Sequence, residues 1–117
     1  MTETKITEIE SMDRYFQAMA DPYRRGFIEK LAKGPASVKA LAAPAQVQLP
    51  AVLKHLRVLE EGGIVVSEKV GRVRTYRMRP DAFTAMSSWI EQRQRDMNAA
   101  FDRLAIAMAE VPEEKDH

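Results

Sequence analysis

The chain has 117 residues, 45% of them hydrophobic and 30% charged, with a net charge of +1 and no cysteine. That is one domain's worth of chain with enough apolar content for a core. It excludes a multidomain enzyme, disulfides, thiolate metal sites and cysteine nucleophiles.

No apolar run approaches the ~20 residues needed to cross a bilayer. Residues 1–10 carry Glu3, Glu8 and Glu10 and no apolar stretch, so they do not read as a signal peptide. A cytoplasmic protein without a membrane partner is expected. Aromatics are only 7% of the chain, which suits helices better than a β-sandwich. The charge is segregated. Residues 21–79 carry twelve basic and five acidic side chains, giving +7, while the two flanks together carry −6. A basic centre between acidic ends predicts a polyanion-binding face on the middle of the chain.

In chain order, Ile6, Ile9, Met12, Phe16 and Met19 recur at spacings of three and four, which predicts a helix over 4–20. Asp21-Pro22 breaks the chain and starts a second helix, with Asp as cap and Pro in the first turn. That helix carries Phe27, Ile28 and Leu31 and stops at Lys33-Gly34-Pro35. Ser37 caps a short third helix that Pro44 ends, and Ala45 to Gln48 form a polar turn. A fourth helix over 49–61 places Val52, Leu53, Leu56 and Leu59 to one side. Gly62-Gly63 stops it, because glycine takes a positive φ without steric cost. Ile64 to Val66 and Lys69 to Met78 read as two strands around a Gly71-Arg72 turn. Along the second strand Arg72, Arg74 and Tyr76 fall on one face and Val73, Thr75 and Arg77 on the other. Pro80 to about Ala109 predicts a last helix of about 45 Å, long enough to pack against a second copy.

This order predicts a mainly α (α+β) winged helix-turn-helix: about five helices and a two-stranded β-hairpin wing. The domain is expected over 1–110, with a polar tail over 111–117. A short helix, a tight turn and a helix of this length hold the second helix ready for a DNA major groove, and a basic hairpin tip reaches phosphates or a minor groove.

The residues also resemble a known family. Phe16-Gln17-Ala18-Met19-Ala20-Asp21-Pro22-Tyr23-Arg24-Arg25 is similar to the opening motif of ArsR-type regulators. Leu49 to Glu60, with its His55-Leu56-Arg57-Val58-Leu59 core, resembles their recognition helix. Gly63-Ile64-Val65 and Gly71 to Met78 resemble their wing. The likeness covers about residues 12–90. It implies a homodimeric winged-helix transcription factor, most often a repressor of its own operon, dimerising through its first and last helices. Two departures stand out. The third helix, Ser37 to Ala42, lacks the family's Cys-Val-Cys element, and the last helix has no histidine before His117. Metal sensing of those types is not expected, nor is any cofactor. The recognition helix has Gln48 and Leu53 where the family often has serines, so the family's typical base contacts transfer poorly to Leu53.

The candidate DNA-binding residues are Gln46, Gln48, Lys54, His55, Arg57, Lys69, Arg72 and Arg74. Gln pairs bidentately with adenine. Lys54 and Arg57 are three apart and share a helix face. His55 has no second ligand near it in sequence, which favours a hydrogen-bonding or phosphate-contacting role over metal binding. Ile9, Met12, Phe16, Trp89, Met97, Phe101 and Leu104 are the candidate dimer seam. No Gly-rich phosphate loop, serine elbow or metal-ligand cluster marks an enzyme. The partners expected are double-stranded operator DNA and a second copy; no residue pattern identifies a small-molecule effector. The alternative is a winged-helix protein-interaction module without DNA binding. A salt-dependence measurement separates the two, since nucleic-acid binding releases counterions.

Overall fold

A computed structural model of the chain describes residues 3–111, with side chains from Ile9 onward. Ile6 precedes those side chains, and the expected polar tail lies, apart from Val111, outside the described residues. The helices are α1 (Glu3–Ala18), α2 (Pro22–Leu31), α3 (Val38–Ala42), α4 (Leu49–Glu61) and α5 (Pro80–Glu110). The strands are β1 (Ala36–Ser37), β2 (Val65–Val70) and β3 (Val73–Met78). Residues to Met86 form one packed unit and those from Ser87 a second.

Local chemistry explains most boundaries. The Asp21 carboxylate accepts from the Arg24 N–H at 3.1 Å and caps α2, with Pro22 in the first turn. Ser37 Oγ accepts from the Ala40 N–H at 3.1 Å and caps α3. A 3₁₀ turn over Ala43–Ala45 carries Pro44, and Gln46 turns the chain in the left-handed region at φ 55°. At the end of α4 only Gly63 takes a positive φ, +79°. Gly62 stays helical and serves another purpose. A Cβ there would lie 3.0 Å from the Val58 carbonyl and 3.1 Å from the Ala18 Cβ, so α1 passes where only a hydrogen fits.

The expected two-stranded hairpin is present as β2 and β3, and a third strand extends its sheet. The sheet has three antiparallel strands in the order β1-β3-β2. Ala36 pairs with Tyr76 and Ser37 with Thr75, so a two-residue strand ahead of α3 anchors the hairpin to the helical body. Val70 pairs with Val73, leaving Gly71 and Arg72 as the turn. Gly71 has φ +64° and Arg72 does not share it, the pattern of a hairpin turn with Gly first. Arg72 therefore lies outside the strand alternation that was to align it with Arg74 and Tyr76.

The core of the first unit is apolar: among the described residues no polar or charged side chain is buried. Phe27, Ile28 and Leu31 from α2, Leu41 from α3, and Val52, Leu56 and Leu59 from α4 meet Ile64, just ahead of β2, and Val65 and Tyr76 of the sheet. Each fully buried leucine contributes roughly 2 kcal/mol, which fixes α4 to the body along one stripe.

Candidate nucleic-acid interface

The helix that the turn at Gln46 delivers has 13 residues. Val52, Leu56 and Leu59 are fully buried, so the opposite side must face outward. That side carries Leu49, Pro50, Leu53, Lys54 and Arg57, all exposed. Gln46 and Gln48 are exposed at its entry. Gln48 occupies the cap position but its side chain makes no cap bond; its carbonyl accepts from the Ala51 and Val52 N–H groups at 3.0 and 3.1 Å. The Gln48 amide group is thus not committed to the helix start.

The hairpin presents a second basic surface. Lys69 and Arg74 are cross-strand partners, Arg72 sits in the turn, and all three are exposed. The Arg74 Nη1 donates to Ser67 Oγ at 2.7 Å, and Ser67 Oγ donates to Glu60 Oε2 at 2.9 Å. This chain of bonds ties the wing to the last turn of α4. Beneath it Tyr76 is buried; burial and, secondarily, the Glu60 charge push its phenol above the ordinary value. A groove of about 480 Å³ runs between the start of α3, Leu49 and the wing turn; Val38, Ala42 and Val73 line its apolar part, and Lys39, Arg72 and Arg74 its cationic part. No motif or periodicity singles out Lys39, and Leu49 stands in the recognition-helix motif without a sign that it borders the wing. Only the fold brings them beside the wing.

His55 turns away from this surface toward α2. Its ring stacks on Tyr23 with centroids 5.7 Å apart. Its Nδ1 lies 3.4 Å from Arg24 Nη1 and 3.8 Å from Asp21 Oδ2, and its side chain is 20% exposed. Among the described residues no group of three His, Asp or Glu stands where it could hold a metal ion.

The dimer candidates divide by unit. In α1, Ile9 and Phe16 are exposed, whereas Met12 is half-buried against its own core. In the second unit Trp89, Met97, Phe101 and Leu104 are exposed along α5, and the Arg93 guanidinium lies over the Trp89 ring at 4.9 Å. Within α5 the exposed Ile90, Met97, Phe101, Leu104 and Met108 follow one another at spacings of seven, four, three and four, while the exposed Ile106 falls outside this row. This is a heptad-like seam.

Known proteins place this arrangement. A helix-turn-helix domain family matches residues 19–68. The HTH-type transcriptional regulator Rv2034 of Mycobacterium tuberculosis is 38% identical over 82 residues, which is 70% of this chain and 77% of that protein. The crystal structure of an ArsR family transcriptional regulator, RHA00566, superposes with a TM-score of 0.73 at 39% identity, covering 76% of this chain and 92% of that one. The solution structure of a homodimeric winged helix-turn-helix DNA-binding domain, Mb0332 from Mycobacterium bovis, shares the fold with a TM-score of 0.66 at 24% identity, covering 85% of this chain and 91% of that one. With its helix-turn-helix, its basic wing and these relatives, the chain belongs to the ArsR family of winged helix-turn-helix transcriptional regulators.

Proposed function

We propose that this regulator binds double-stranded DNA as a homodimer in the cytoplasm and represses its own operon from an imperfectly palindromic operator. The observation that carries this reading is the outward placement of Lys54 and Arg57 on α4 with Lys69 and Arg72 on the wing, all exposed. Two such helices related by a two-fold axis enter major grooves about one helical turn apart. The wing cations neutralise phosphates on either side. Gln46 and Gln48 stand at the helix entry for base edges, Arg74 joins through the wing, and His55 supports the helix from the α2 side. The heptad-like seam on α5 and the homodimeric neighbour support a dimer. The role is binding rather than catalysis.

The test is binding of the purified protein to its own upstream DNA across a salt series, with random DNA as control and sedimentation for the oligomeric state. Tight binding to the upstream fragment, weak binding to the control and a linear fall of log affinity with log salt are expected. An intact dimer that binds neither DNA at low salt sinks the reading and favours a protein-interaction module.

A further inference from the structure

The four leucines of α4 are not treated alike by the fold. Leu56 and Leu59 of α4 are fully buried, but Leu49 is 51% exposed and Leu53 39% exposed. Leu49, Leu53 and Arg57 follow one another at intervals of four, so they form one row along the exposed side of the helix. The row is therefore apolar, apolar, cationic. Burying these leucines would help the fold, yet the first unit leaves both in solvent. Around them stand Lys54 on the helix and, across the groove that Leu49 lines, Lys39 and Arg72.

A cationic surface with an apolar strip fits a polyanion that itself offers an apolar group. In the major groove the base edges carry one such group, the 5-methyl of thymine. Adenine, guanine and cytosine present polar atoms there, and a leucine set against them removes water without returning a hydrogen bond. We propose that Leu49 and Leu53 select thymine in the operator through its 5-methyl group. This rests on the DNA-binding reading above and names which base two of the helix's residues recognise. The two leucines are roughly 6 Å apart along the helix, and successive bases of one strand are roughly 3.4 Å apart. The thymines they meet are thus about two steps apart. Arg57, one turn further on, supplies a cation beside them.

The experiment uses the full chain. Preferred sites are enriched from a random-sequence duplex pool, and each thymine of the consensus is then replaced singly by deoxyuridine, which removes only the methyl. Affinities are read by fluorescence anisotropy at one fixed salt concentration. One or two replacements in each half-site are expected to weaken binding about fourfold each, the size of one lost methyl contact. Leu49→Ala and Leu53→Ala should each abolish the sensitivity at one of those positions in each half-site. Both side chains are exposed, so the variants should melt like the parent and keep its salt slope. Equal binding of thymine and uracil duplexes at every position overturns the proposal, as does sensitivity that survives in both variants. Failure to enrich any site, with no binding to the pool at low salt, instead removes the DNA-binding reading itself.

Discussion

The Arg24 guanidinium reaches back from α2 to the end of α1, where its Nε donates to the Ala18 carbonyl at 2.7 Å. Its Nη2 donates to the Gln17 carbonyl at 3.1 Å, and Arg25 Nη1 donates to the Met19 carbonyl at 2.8 Å. The last carbonyls of a helix have no partner within it. Two arginines after the Asp-Pro break supply those partners and complement the negative end of the α1 dipole. The most recognisable motif of the chain is thus a device for joining the end of one helix to the start of the next.

Arg24→Ala should therefore lower stability by about 2 kcal/mol, the range for hydrogen bonds made by a charged group. Urea unfolding measures it. Arg24→Lys should recover only part, because an ammonium cannot span both carbonyls as a planar fork does. The salt slope of DNA binding should not change, and a drop of about two units, one per protomer, would instead assign Arg24 to a phosphate.

Asp21 gives a pH signature. Burial raises its carboxyl, but the Arg24 N–H together with the nearby His55 ring and Arg24 guanidinium outweighs that, and the folded value lies below the ordinary 3.8. A depressed carboxylate stabilises the fold above its unfolded pKa, and that contribution disappears as pH falls through the folded value. Asp21→Asn keeps a capping oxygen and loses the titration. The stability gap between parent and variant should be full at about pH 7 and close progressively below about pH 4. A gap that is constant with pH would assign Asp21 a purely geometric role.

Two glycines should respond to alanine with opposite signs. At Gly62 the new Cβ meets the Val58 carbonyl at 3.0 Å and Ala18 at 3.1 Å. Overpacking of this kind costs about 1–3 kcal/mol. At Gly26, inside α2, nothing lies within 4 Å of the new Cβ. Alanine there should stabilise by up to about 0.8 kcal/mol through helix propensity. Thermal melts of the two variants, run in parallel, test both.

The two wing arginines should also separate. Arg72 lies in the hairpin turn, while Arg74 is bonded to Ser67 and through it to Glu60. Arg72→Ala should reduce the salt slope of DNA binding by about 1.8, one phosphate's worth from each protomer of the dimer. Arg74→Ala should reduce it less, and Ser67→Ala should enlarge the Arg74 share by releasing its guanidinium. Equal slopes for the two arginine variants would mean that the Ser67 bond yields to phosphate on binding.

Residue order alone determined the helices, the turn and the hairpin. Val52, Leu56 and Leu59 announce α4 by spacing, Asp21 and Ser37 announce their helices as caps, and Gly71 announces the wing turn. All of these are interactions within about one helical turn or one hairpin, and such periodicities are written along the chain. The basic wing and helix were legible for the same reason, since charge needs no partner to be read. Only the tertiary structure decided what depends on residues distant in sequence. It joined Ala36 to Tyr76 and so added a strand that two residues could not announce. It turned His55 toward Tyr23 and Arg24 toward Ala18, and it closed the space beside Gly62. It also buried Leu56 while leaving Leu53 outside, though both lie in the same apolar run. Which leucine meets water is set by the neighbours that pack against the helix, and those come from elsewhere in the chain.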